Sequence, residues 1–347
     1  MFPSRIRGGA VLRVLLVLVL LLGATLAAWL FVAWRDYQAF VDAPLAGGAA
    51  GATLEFPRGS GYRDLVRQLR QAQLTQAPEW QWRLLGRELG VSSRLHAGEY
   101  ALTPGLSPRE LLQRMAAGQV LQHHFTIVDG WSFRQLRVAL AAESGLVQTL
   151  PGLGDADIAR RLDIADGKPE GWFLPETYAW VKGESDFDLL QRAHAAMRKA
   201  LDQAWAGRDA RLGLATPYEV LVLASIIEKE TGVAAERPMI AGVFLRRLQY
   251  RMRLQTDPTV IYGMGERYDG NIRKRDLETD TPWNTYTRDG LPPTPIALPG
   301  LPALQAATHP AAGDELYFVA RGDGSHEFSP TLEAHNRAVQ KYQLRRP

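Results

Sequence analysis

The stretch Leu221-Val-Leu-Ala-Ser-Ile-Ile-Glu-Lys-Glu-Thr-Gly232 decides how this chain is read. Ahead of it, Thr216-Pro217-Tyr218-Glu219 has the form of a capping box with proline at the first helical position. Gly232 supplies a stop. Leu221, Ala224, Ser225 and Glu228 fall on one helical stripe, at offsets of three, four and seven. The helix is apolar until it reaches Glu228. There the negative end of the macrodipole and the loss of water both disfavour an anion and favour the acid form. An acid of that kind is what protonation of a glycosidic oxygen requires. Glu230 lies about 200° further round the helix, so the two are not a pair on one face. A plainer reading makes both solvated and balanced by Lys229 and Arg237.

The chain has 347 residues, which predicts two or three structural units, and its 46% hydrophobic content predicts real cores. The net charge of +3 is small and the basic residues are dispersed, without the basic stripe that nucleic-acid binding calls for. No cysteine is present, which excludes disulfides, thiolate metal sites and cysteine nucleophiles. The histidines are scattered. The one close pair, His123-His124, reads as a strand end and not as metal ligands. No metal and no cofactor are expected.

Val14 to Trp34 is an uncharged run of about 21 residues, about 31 Å as a helix. Arg5, Arg7 and Arg13 precede it, while Arg35 and Asp36 after it cancel. The positive-inside rule then places the N-terminus in the cytoplasm and the rest across the membrane. The run is too long for the core of a cleaved signal peptide.

Beyond a linker rich in Ala and Gly (Ala46 to Thr53), a small pattern recurs. Thr53 to Pro57 reads as a strand, Gly59-Ser-Gly61 as a turn, and Tyr62 to Gln71 as an amphipathic helix. His96 to Leu102, Pro104 to Ser107 and Pro108 to Ala116 repeat it. His124 to Val128, Asp129-Gly-Trp-Ser132 and Phe133 to Ala142 form a third copy. Such units resemble LysM modules, which bind N-acetylglucosamine polymers; a packing or spacer unit is the alternative. Further on, Glu170-Gly-Trp-Phe-Leu-Pro-Glu-Thr-Tyr178 sets aromatics beside acids, which fits a sugar-facing surface or a buried aromatic core. Arg253 to Gly263 crosses from Pro238–Gln249, a helix, into a polar stretch. Trp283-Asn-Thr-Tyr286 and Gly290-Leu-Pro-Pro293 lie in a long loop of the kind that carries function. Glu315 to Ala320 and His326 to Ser329 form a hairpin around Gly322-Asp-Gly-Ser325, and a last helix starts near Pro330.

Taken together, Glu170 to Tyr178, Ala224-Ser-Ile-Ile-Glu-Lys-Glu-Thr231, Leu254-Gln-Thr-Asp-Pro-Thr-Val-Ile-Tyr-Gly263, Asn284-Thr-Tyr286, Gly290 to Pro293 and His326-Glu-Phe-Ser329 resemble the endolytic murein transglycosylases of the YceG-like type. The resemblance covers nearly everything after the linker. It implies that Glu228 is the catalytic acid/base. It implies a glycan cleft lined by Gln255, Asp257, Tyr262, Asn284, Tyr286 and the loop Gly290, Leu291, Pro292, Pro293. Glu170, Trp172, Glu176, Tyr178 and Glu230 complete the set of candidate substrate-binding residues. The implied partners are the glycan strands of peptidoglycan and the penicillin-binding synthases that make them. The expected fold class is α+β, with one transmembrane helix, a small LysM-like α/β subdomain and a mixed α+β catalytic domain. The expected division is 1–13 in the cytoplasm, 14–34 across the membrane, 35–52 as linker, 53–124 LysM-like and 125–347 YceG-like and periplasmic.

Hydrolytic glycosidases usually need two carboxyl groups. The resemblance implies a route with one. Glu228 protonates the oxygen between N-acetylmuramic acid and N-acetylglucosamine, then takes the proton of the muramyl C6 hydroxyl, which closes on C1 as a 1,6-anhydro ring. Such cuts on nascent strands would end their polymerisation. Asp257, Glu236 and Asp280 are candidate second carboxylates for the alternative, a hydrolytic muramidase. A membrane-tethered glycan-binding scaffold is the alternative outside enzymes. The topology reading has its own test. A reporter fused after Pro347 is expected to be active only if it works outside the cytoplasm; a cytoplasmic signal from that fusion would remove both the localisation and the substrate.

Overall fold

The computed structural model describes residues 8–48 and 51–344, with side chains from Leu12 onward. Arg5 and Arg7 of the orientation argument, and Ala49 and Ala50 of the expected linker, lie outside the described residues. Helix α1 spans Gly8–Asp42 and is long and apolar enough to cross a membrane. Its large apolar side chains from Leu12 to Trp34 are exposed. It does not end at Trp34, where the linker was expected to begin. Tyr37, Phe40 and Val41 follow at helical spacing and form an inward stripe, with Tyr37 and Val41 fully buried.

The chain divides into two compact units, residues 1–122 and 123–347. The first contains β1 (Thr53–Phe56), α2 (Tyr62–Gln71), α3 (Glu79–Glu88), β2 (Gly98–Ala101) and α4 (Pro108–Ala116). β1 and β2 pair antiparallel, Thr53 opposite Ala101 and Phe56 opposite Gly98. Leu65, Leu69, Trp82, Leu85, Tyr100 and Leu111 fill the core, joined by Tyr37 and Val41 of α1, which packs on α3 and α4. Ser107 and Glu110 close a reciprocal capping box at α4. Helix α3 has no counterpart in the repeat read from the sequence.

The second unit contains β3 (His123–Thr126), α5 (Phe133–Ala142), α6 (Asp155–Arg161), β4 (Thr177–Trp180), α7 (Asp186–Ala206), α8 (Pro217–Glu230), α9 (Arg237–Gln249), α10 (Asp257–Met264), α11 (Lys274–Glu278), α12 (Leu301–Thr308), β5 (Tyr317–Ala320), β6 (His326–Ser329) and α13 (Leu332–Val339). The third strand–turn–helix copy therefore belongs to the second unit, apart from the first two in the division of the chain. Its strand β3 pairs antiparallel with β4, because Phe125 and Ile127 find their apolar partners in Tyr178, Trp180 and α5. β5 and β6 form the expected hairpin. Helix α8 is central, packed by α7, α9, α10 and α12, and every residue from Val220 to Ile227 is buried.

The continuation of α1 into the first core has a measurable consequence. Removing Tyr37 and Val41 from that core takes away roughly 3–5 kcal/mol, and one kcal/mol moves a unit of this size by about 4–8 °C. A soluble form beginning at Ala43 is expected to lose more than about 10 °C in the melting of its first unit relative to one beginning at Arg35. Coincident melting of the two forms would mean that residues 35–42 contribute nothing to the core.

Candidate active site

Helix α8 begins as its sequence specifies. Thr216 Oγ1 accepts the Glu219 amide at 3.2 Å, and Pro217 fills the first turn, where no N–H is needed. The reciprocal half of the capping box is displaced by one residue, since Glu219 accepts from the Ala215 amide and not from Thr216. The helix stops at Thr231, whose extended backbone ends it before Gly232 is reached. Buried Ser225 donates to the Val222 carbonyl at 2.7 Å and accepts the Ile296 amide at 3.0 Å, which ties the segment before α12 to α8.

That tie brings Gly300, the N-cap residue of α12, to the end of α8. Glu228 Oε2 accepts the Gly300 N–H at 3.0 Å, and Glu228 Oε1 accepts from Arg237 Nη2 at 3.4 Å. The Glu228 side chain is only 6% exposed and that of Arg237 only 14%. The sequence expectation of an acid among purely apolar neighbours is corrected here. Glu228 is clasped by a guanidinium from the first residue of α9 and an amide at the positive end of α12. On the other side, the turn at Gly130 approaches Glu228. Gly130 donates to the Leu298 carbonyl at 2.9 Å, and its own carbonyl accepts Lys229 Nζ at 3.2 Å.

A cleft of about 700 Å³ opens beside this point, with Gly130, Phe133, Glu170, Lys229, Tyr262 and Trp283 among its walls. Glu228 itself is not in the wall; its neighbour Lys229 is. Glu170 is buried, and accepts the Phe133 amide at 2.9 Å and the Tyr262 hydroxyl at 3.1 Å. Burial pushes its carboxyl up to about 7, against the pull of those donors. Of the sequence candidates, Glu170 and Tyr262 are thus brought together in one wall. Tyr262 also meets Trp283 edge-on at 5.5 Å.

Glu230, Gln255, Asp257 and Tyr286 form a second group on the other face of α8. The Thr256 hydroxyl donates to Glu230, whose carboxyl is pushed up to about 7 by burial, with a further push from Asp257. Asp257 accepts the Tyr286 hydroxyl at 2.5 Å. Gln255 takes a left-handed φ of 51°, donates its amide to the Thr285 carbonyl at 3.1 Å and accepts from Arg247 at 3.3 Å.

Several candidates face inward and serve the fold. Asn284 is wholly buried; its amide donates to the carbonyls of Leu277 and Thr279 at 2.9 and 2.7 Å, and its oxygen accepts the Tyr286 amide at 2.8 Å. It staples the loop and does not line the cleft. Tyr178 is buried in β4, with its hydroxyl on the Leu174 carbonyl at 2.7 Å. Trp172 stacks on Tyr218 at 6.1 Å and meets His194 edge-on at 5.7 Å. The Glu176 side chain is exposed, away from the cleft walls. Gly290, Leu291 and Pro292 line a different cleft of about 700 Å³, with Tyr218 and Arg246, that shares no wall residue with the first. Pro293 is held by its carbonyl, which accepts the Tyr218 hydroxyl at 3.3 Å.

The candidate second carboxylates are engaged elsewhere. Asp257 holds Tyr286, and Asp280 is paired with Arg288 at 2.9 Å on the surface. Glu236 accepts from His326 through both the amide and the ring, each at 2.8 Å. Asp129 and Gly300 were not singled out from sequence, whereas Arg237 was named as a balancing charge for Glu228 and does contact it. Asp129-Gly130 was read only as a turn, and no spacing rule relates it to Glu228, 99 residues on.

The chain matches the model of the YceG-like family over residues 54–341. It is 31% identical over 268 residues to a Bacillus subtilis protein named endolytic murein transglycosylase, covering 72% of this chain and 74% of that one. It is 28% identical over 282 residues to a Streptococcus pneumoniae protein of the same name, covering 72% of this chain and 51% of that one. It therefore spans about half the length of the streptococcal relative. A crystal structure of a putative yceG-like protein from Listeria monocytogenes superposes with a TM-score of 0.50 at 29% identity, over 82% of this chain and 98% of the other.

The buried Glu170 makes stability depend on pH. Its carboxyl is raised in the fold, so its favourable contribution is complete below the unfolded value near 4.5 and is lost as pH rises through about 7. Glu170→Gln keeps an acceptor for Phe133 and cannot ionise. The melting temperature of the variant relative to the unchanged protein is expected to rise between pH 5 and pH 8, by the equivalent of at most about 3 kcal/mol. A difference that stays flat across that range would show that Glu170 does not titrate there.

Proposed function

The chain belongs to the YceG-like family, and on that premise we propose that it is an endolytic lytic transglycosylase of peptidoglycan with Glu228 as its acid/base. The observation that carries the reading is the clasp at the end of α8, where one carboxyl group meets a guanidinium and a helix N-terminus, next to Lys229 in the wall of a cleft of saccharide size. Catalysis by one group requires it to exist in both protonation states during one turnover. Arg237 and the Gly300 amide are placed to bear the charge of its carboxylate once the proton has left.

Glu228 gives its proton to the glycosidic oxygen as the bond to muramyl C1 breaks, and the electron pair leaves with the N-acetylglucosamine 4-oxygen. The carboxylate that results is stabilised in place by Arg237 and the Gly300 N–H. It accepts the C6 hydroxyl proton as O6 bonds to C1, and the product is a 1,6-anhydro end with no water consumed. Tyr262, held by Glu170, and Trp283 offer aromatic faces to the sugar rings. The network of Glu230, Gln255, Asp257 and Tyr286 supports the other side of α8.

Helix α1 fits a single-pass anchor with its N-terminus in the cytoplasm, which keeps the enzyme near strands emerging from membrane-bound synthases. Cuts there would end strand growth. The LysM-like reading of residues 53–124 draws support from the helices packed on the β1–β2 pair and from glycan as the substrate.

The test is release of anhydro-muropeptides from purified wall. Glu228→Gln is expected to lower the rate by about 10⁴-fold, the upper end for a general acid–base group, with an unchanged circular dichroism spectrum. Glu230→Gln is expected to keep substantial activity, because that side chain meets Thr256 on another face. A folded, fully active Glu228→Gln protein would overturn the assignment, and products heavier by one water would replace transglycosylation with hydrolysis.

A further inference from the structure

The backbone of Gly300 has φ −78° and ψ 171°, an extended conformation open to any residue. Conformation therefore does not explain the glycine; space does. A Cβ there would stand 2.4 Å from Asp129 Oδ1 and 3.5 Å from Glu228 Oε2. Both carboxylates thus converge on one point, with less than about 6 Å between the two oxygens. Any side chain at 300 would collide with Asp129 and fill the gap between them.

We infer that Asp129 is a second carboxylate of the reaction centre, facing the anomeric carbon while Glu228 moves the proton; the inference rests on the reading of Glu228 given above. Asp129 is exposed and, among the described residues, its carboxylate has no hydrogen-bond donor or cation, unlike Asp257, Glu236 and Asp280. The backbone on its C-terminal side is nonetheless held. Gly130 donates to Leu298 at 2.9 Å, Leu298 donates back to Trp131 at 2.7 Å, and Lys229 reaches the Gly130 carbonyl at 3.2 Å. Gly130 and Lys229, the chain neighbours of the two acids, both line the cleft, so the pair stands at its edge.

The spacing restricts the chemistry. Paired glycosidase carboxylates stand about 6.5–9.5 Å apart where water must fit between sugar and base, and about 5–5.5 Å apart where the second acts directly on C1. Less than about 6 Å leaves no room for the water that a single inverting displacement holds between sugar and base, and matches a second carboxylate close to C1. Ring closure by the sugar's own O6 needs no such water. As the C1–oxygen bond breaks, positive charge develops on C1 and the ring oxygen. Asp129 exchanges no proton in this step and stabilises that charge. Glu228 gives one proton to the leaving oxygen and receives one from O6, so the balance of the reaction is unchanged.

The experiment uses the full chain in detergent with purified glycan strands, and reads kcat, KM, product mass and melting temperature. Asp129→Asn is expected to lower kcat on the order of 10²-fold, as for other preorganised charge stabilisers, with KM within about twofold and the melting temperature unchanged. Gly300→Ala, which pushes Asp129 aside, is expected to lower kcat likewise. Asp129→Glu is expected to recover part of the loss. Full kcat in Asp129→Asn beside an inactive Glu228→Gln would remove Asp129 and leave the Glu228 reading standing. Full kcat in both would remove the Glu228 reading itself. A rise in KM alone would make Asp129 a binding group and overturn the inference.

Discussion

The second unit depends on one constraint: a carboxylate must stand in the last turn of a helix whose middle is wholly buried. Eight consecutive residues of α8, Val220 to Ile227, are buried, so the helix gives the core its central member and leaves its last turn as the place where polar chemistry can begin. A carboxylate there opposes the macrodipole by about 0.3–1 kcal/mol, and burial adds to the cost. The fold offsets this by bringing the opposite end of another helix to the same point. The N-terminus of α12 faces the C-terminus of α8, and Ser225 fixes the approach by holding Ile296 four residues before Gly300.

Arg237 depends on a further arrangement. It is the first residue of α9 and follows the short turn 234–236, whose Glu236 accepts from both the amide and the ring of His326 on β6. Burial pushes the Glu236 carboxyl up, but the His326 contacts outweigh it and hold it below the ordinary range. The same oxygen that meets the ring accepts from Thr231, the residue that ends α8. The hairpin, the end of α8 and the start of α9 are thus joined through one carboxylate next to the guanidinium that clasps Glu228. This gives the terminal hairpin a part in positioning the site that its distance along the chain conceals.

Elements with strong local signals were legible in the sequence. The proline and threonine at the start of α8, the apolar run of α1, the capped helices α4 and α5 and the β5–β6 hairpin follow from side-chain type and spacing alone. Side-chain direction in the long loops was not legible. Asn284 and Tyr286 are two residues apart in one motif, yet one is buried as a staple and the other holds Asp257. Tyr178 and Tyr262 have the same chemistry, and pairing with β3 turned Tyr178 into the core. Pattern identifies residues fit to meet a sugar; which of them do so is decided by tertiary neighbours that no local rule encodes. The third copy of the small repeat shows the same limit, since identical local form joined a different core.

Glycines carry the remaining information, in two ways that sequence cannot separate. Gly130 has φ 75°, so its turn needs a residue free to enter the left-handed region. Gly300 has an ordinary backbone, and a side chain there would displace the Asp129 carboxylate. The first fixes the path of the chain, and the second preserves a gap. In both places the absent side chain lies against Glu228, at 3.8 Å from its Cγ on one side and 3.5 Å from Oε2 on the other. A methyl group on either would narrow the approach to the one carboxyl that the surrounding helices hold in place. Apolar packing thus sets where Glu228 stands, polar contacts set how its charge is borne, and the two glycines leave space beside it.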